Sequence, residues 1–145
     1  MKHNLKVFLI ALIIGMVASY IFCYKFDNTI ISKALESKAT YFYVGSYNSL
    51  NEATTKKANY KNAIIYNDNG IYKIVIGIYS KKESIELMSS YFLDLNYNFR
   101  TSEIKMNNEF LKSIGNYELL IKTSEKSYYD NINNSLLKLF NEYIS

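Results

Sequence analysis

Tyr41 and Tyr43 stand two residues apart in a β-branched and aromatic run, Thr40 to Tyr47 (TYFYVGSY). Lys73 and Val75 stand two apart in a second such run, Ile71 to Tyr79 (IYKIVIGIY). Alternate residues of a strand share a side, so each pair reads as part of one sheet face. Phenol rings beside an ammonium can stack on an apolar ring surface, hydrogen-bond hydroxyls and pair with a carboxylate. That is the chemistry of holding a ligand, not of breaking a bond. Tyr66 and Arg100 lie on flanking strand-like segments and join the set only if their register agrees, because a one-residue slip reverses the face. A purely structural reading stays open beside this one: with 15 tyrosines in the chain, two on one strand face are also expected as ordinary cross-strand packing.

Catalytic sets are absent from the same stretch. The single histidine, His3, precedes an apolar run, and the single cysteine, Cys23, lies inside it. The downstream region therefore offers no Ser-His or Cys-His nucleophile and no His/Cys zinc site, and no metal or cofactor is expected. Glu83 and Glu86 form a carboxylate pair, but Glu83 is explained as a helix-capping partner. Gly45, Gly70, Gly77 and Gly115 are isolated and build no phosphate loop. The expectation is a non-enzymatic protein.

The elements that position these residues follow from the pattern. Thr40 to Tyr47 is the first strand. Asn48-Ser49 caps a helix with Glu52 in its first turn, running to about Asn59. Asn62 to Tyr66 is a short strand, and Asn67-Asp68-Asn69-Gly70 predicts a tight hairpin into Ile71–Tyr79. Ser80 with Glu83 reads as a capping box opening a helix to about Leu95, whose apolar stripe is Ile85, Met88, Tyr91, Phe92 and Leu95. Phe99 to Lys105 is the fourth strand. The order β-α-β-β-α-β predicts an α+β, ferredoxin-like domain, with helices on one face of an antiparallel sheet and Tyr41, Tyr43, Lys73 and Val75 on the open one. Residues 106–145 are expected as an extra helical extension: a short helix over Asn107–Ser113, a strand or helix over Tyr117–Lys122, and a helix from Ser127 to Ile144 with Tyr129, Ile132, Leu136, Leu139, Phe140 and Tyr143 in its stripe. That last helix packs on the domain or mediates dimerisation.

Val7 to Tyr24 is an uncharged apolar run that reaches roughly 27 Å at about 1.5 Å per helical residue, close to a bilayer core. It predicts one transmembrane helix at 7–24, with residues 1–6 cytoplasmic, a connector at 25–39 and the domain outside the membrane, since Lys2, His3 and Lys6 precede the run. A cleaved signal peptide, cut near Val17-Ala18-Ser19, is the rival reading. Of 17 basic residues two precede the run, leaving 15 against 13 acidic ones. That balance gives no footprint for nucleic acid.

Two phrases repeat. Tyr41–Ala53 (YFYVGSYNSLNEA) and Lys73–Ser84 (KIVIGIYSKKES) each carry an apolar strand, a glycine, a tyrosine two residues on, and a helix opening with Glu. Gly45 matches Gly77, and Tyr47 matches Tyr79. The segments Tyr43-Val44-Gly45-Ser46-Tyr47 and Tyr72 to Tyr79 resemble the SPOR (sporulation-related repeat) domain of bacterial envelope proteins, over about residues 40–105. The family's Gln before the first glycine is Tyr43 here, its Arg before the second is Lys73, and its Pro after the second is Ile78. The resemblance implies a domain on a membrane anchor that binds peptidoglycan glycan strands stripped of stem peptides, in division or sporulation. It places the glycan on the open sheet face, with Lys73 near the lactyl carboxylate. The alternative is an extracytoplasmic module binding envelope or divisome proteins, or a structural subunit, with the tail helix covering that face.

Overall fold

A computed structural model describes residues 38–145. The expected transmembrane helix and most of the connector lie outside the described residues. Among the described residues no helix is long and apolar enough to cross a membrane.

The elements are β1 (Lys38–Tyr47), α1 (Leu50–Lys57), β2 (Ile64–Asp68), β3 (Ile71–Tyr79), α2 (Lys82–Asp94), β4 (Arg100–Lys105), α3 (Asn108–Thr123), a 3₁₀ turn (Lys126–Tyr128) and α4 (Tyr129–Ile144). The four strands make one antiparallel sheet in the order β2-β3-β1-β4. The β-α-β-β-α-β order is the one the pattern implies. The hairpin residues Asn69 and Gly70 both take positive φ, 53° and 89°, as a two-residue turn requires. Ser49 caps α1, its hydroxyl accepting from Glu52 N at 3.4 Å.

The repeated Gly-x-Tyr phrase has a structural cause. At Gly77 an added Cβ would lie 2.9 Å from the Tyr79 ring and 3.0 Å from Phe92. At Gly45 it would meet the Tyr47 hydroxyl at 2.5 Å and its ring at 2.8 Å. In both halves the tyrosine two residues on folds back over its glycine, filling space that a side chain would occupy.

Two expectations need correction. The capping box at Ser80 does not form: the N-cap of α2 is Lys81, without a side-chain cap. The buried Glu118 of α3 does that work instead, accepting from Ser80 N at 2.6 Å, Lys81 N at 2.7 Å and Ser80 Oγ at 2.9 Å. A carboxylate satisfying the free amides that open a helix is favoured by hydrogen bonding and by the helix dipole. The tail also differs. Residues 108–123 are one continuous helix rather than a short helix and an ambiguous segment, because Phe110, Ile114, Glu118 and Ile121 recur at helical spacing and all are buried. Gly115 lies inside this helix; it costs helix propensity but does not end the helix.

α3 and α4 are part of the core. Ile114, Ile121, Leu136, Leu137 and Phe140 are fully or almost fully buried. Asn133 of α4 donates to Ile76 O at 2.8 Å and accepts from the Tyr79 hydroxyl at 2.5 Å. The β2–β3 ladder starts only at Ile64–Val75, so Asn133 supplies the partner that β2 does not reach for the Ile76 carbonyl.

Candidate functional site

Register fixes the facing of the candidate residues. Tyr43 pairs with Val75 on β3 and with Arg100 on β4, and Tyr66 pairs with Lys73. Tyr41 and Tyr43 alternate on β1. All six, Tyr41, Tyr43, Tyr66, Lys73, Val75 and Arg100, therefore lie on one side of the sheet. Phe42 is on the other, against Phe92 of α2 and Phe99.

The sequence pattern predicts an open face there, and the structure corrects it: that side is largely covered. Tyr41 is 1% exposed and Val75 is 0% exposed. Phe140 of α4 packs on the Tyr66 ring at 5.8 Å, and Tyr66 meets Tyr41 edge-on at 5.5 Å. The cause is the tail: α4 has an apolar stripe to bury, and this sheet face is the partner it takes.

Lys73 is also committed. Its Nζ lies 2.6 Å from Asp68 Oδ2 and 2.8 Å from the Tyr41 hydroxyl, which itself donates to Asp68 at 3.2 Å. The ammonium sits 5.3 Å from the Tyr41 ring centre and 4.9 Å from that of Tyr43. The Lys73 side chain keeps 13% of its exposure. Burial pulls its pKa down, but the hydrogen bonds to Asp68 and Tyr41 win and hold it above the usual lysine value. The hydrogen bond from Lys73 holds the Asp68 carboxyl below its usual value. The hairpin thus supplies its own carboxylate to the lysine.

The accessible part of the set is its β1–β4 end. The β1–β4 ladder stops at Tyr43–Arg100, while β1 runs on to Tyr47. Val44 and Gly45 have no register partner on either neighbour, because β1 is irregular against β3 between Tyr43 and Ser46. A cavity of about 330 Å³ opens there, lined by Tyr43, Val44, Gly45, Ser46, Asn98 and Arg100. Arg100 is exposed and has no ion-pair or hydrogen-bond partner among the described residues. Aromatic ring, hydroxyl, amide, guanidinium and unladdered backbone together suit a polyhydroxylated ligand. Ser46 and Asn98 escaped the sequence reading, since nothing in a lone Ser or Asn marks the end of a ladder. The Asp68–Lys73 pair was within reach: the Asn-Gly hairpin fixes the register that puts both on one side.

Among the described residues no group of His, Cys, Asp and Glu is arranged to hold a metal ion. No family model matches the chain, and no curated protein matches it. Among solved structures, the chain is similar to the peptidoglycan binding domain of the B. subtilis cell wall lytic enzyme CwlC. The likeness has 20% identity and a TM-score of 0.36, and covers 49% of this chain and 92% of that one.

Proposed function

We propose that this chain is a membrane-anchored, divergent SPOR-like module of ferredoxin-like type. In this reading residues 7–24 span the cell membrane, the N-terminus is cytoplasmic, and the domain outside binds peptidoglycan glycan strands without catalysing a reaction, in division or sporulation. The observation that carries the binding reading is the polar cavity beside Tyr43, which no residue of the tail helices lines. Sugar rings would stack on Tyr43, and their hydroxyls would meet Ser46, Asn98 and the free backbone of Val44 and Gly45. Tyr41, Val75 and Tyr66 act as support beneath the site rather than as contacts. Co-sedimentation of the full chain, in mild detergent, with purified cell-wall glycan tests this. Tyr43→Ala should weaken binding about tenfold, as expected for loss of one stacking contact and its desolvated surface. Unchanged binding would move the site elsewhere.

A second reading has its own support. Tyr41 and Val75 are buried, and Phe140 of α4 packs on Tyr66, which removes much of the face that a glycan-binding module would use and favours an extracytoplasmic protein-binding module. Binding of neither Tyr43→Ala nor wild type to glycan would select it.

A further inference from the structure

We infer that Arg100 on β4, and not Lys73 on β3, reads the charge of the ligand, so the bound saccharide carries a carboxylate and lies toward the β1–β4 edge of the sheet. The inference rests on the glycan reading above and names the residue and group that give it specificity. Lys73 has no charge to spare: Asp68 is 2.6 Å away, and the side chain is nearly enclosed. A second carboxylate brought to it would face Asp68 as well, with like charge. Arg100 is placed differently. It is the register partner of Tyr43, so the guanidinium and the ring share one side of adjacent strands. It lines the cavity, in which no acidic residue takes part. Its planar fork pairs a carboxylate through two parallel hydrogen bonds, which an ammonium cannot do. Ser46 and Asn98 are left for the neutral hydroxyls of the same sugar.

The test uses the full chain in detergent and two probes: wall glycan stripped of stem peptides by an amidase, and the same glycan after its carboxylates have been converted to amides. Wild type should bind the native glycan about ten- to a hundredfold better than the amidated one, the range expected for a hydrogen-bonded charge pair. Arg100→Ala should bind the native glycan as weakly as wild type binds the amidated form, and should lose the discrimination. Arg100→Lys should recover part of it. Arg100→Ala binding native glycan like wild type would overturn the inference while leaving the glycan reading in place. No binding of wild type to either glycan would overturn both.

Discussion

Lys73 Nζ lies 2.6 Å from Asp68 Oδ2, across a hairpin turn of two residues, with the Tyr41 hydroxyl bonded to both. This closed triangle removes from use the lysine that the sequence pattern offers as a ligand contact, and it ties the β2–β3 hairpin to β1. Its pH dependence follows from the two shifts. The Asp68 pKa is lowered on folding, so its contribution is present above the unfolded carboxyl value and is lost as pH falls through the folded one. The Lys73 pKa is raised, so its contribution is present below the unfolded lysine value and is lost only as pH rises through the higher folded one. Wild type should therefore exceed Asp68→Asn in stability at neutral pH. Urea denaturation should show the difference shrinking as pH falls below about 4. A difference that stays constant down to strong acid would show that the pair is not coupled to folding.

Glu118 accepts three hydrogen bonds at the start of α2 while being 1% exposed. Glu118→Ala leaves two partly buried amides and a hydroxyl without their acceptor, and should cost about 1–3 kcal/mol in chemical denaturation. Glu118→Gln keeps one acceptor and should cost less. Equal stability of wild type and Glu118→Ala would mean that water caps the helix as well.

The two glycines of the repeated phrase should respond unequally to alanine. At Gly77 the new methyl meets Tyr79 and Phe92, which are 0% and 2% exposed and cannot move aside. A loss of about 1–3 kcal/mol is expected. At Gly45 it meets only the half-buried Tyr47, which can swing outward, and the loss should be smaller. Thermal melts that reverse this order would refute the packing account.

Gly115 sits inside α3 with only Lys81 Nζ near its would-be Cβ, at 3.9 Å. Gly115→Ala should therefore stabilise the protein by about 0.5–1 kcal/mol through helix propensity. Destabilisation would contradict the open space found around this glycine.

Much of this fold was legible locally. The Asn-Gly turn, the Ser49 cap and the alternation of Tyr41–Tyr43 and Lys73–Val75 gave the strand order and the common face, because those signals act within a few residues. What the chain concealed was tertiary. Glu118 caps a helix that begins 36 residues earlier in the chain, at Lys82, and no local motif announces that. Asn133 carries no mark in the local pattern, yet it is buried and bonded to Ile76 and Tyr79. The same holds for the site: facing is a local property, but exposure depends on where α4 docks. Tyr41 and Val75 therefore share the side that alternation assigns them, but they are buried there rather than exposed.

The measurement that bears most directly on the account is sedimentation of the full chain, in mild detergent, with two cell-wall preparations: intact peptidoglycan, and the same wall stripped of stem peptides by an amidase. The account predicts clear enrichment of the protein on the stripped wall. Equal and negligible binding to both would contradict it, leaving the fold as described and moving the function to a protein partner.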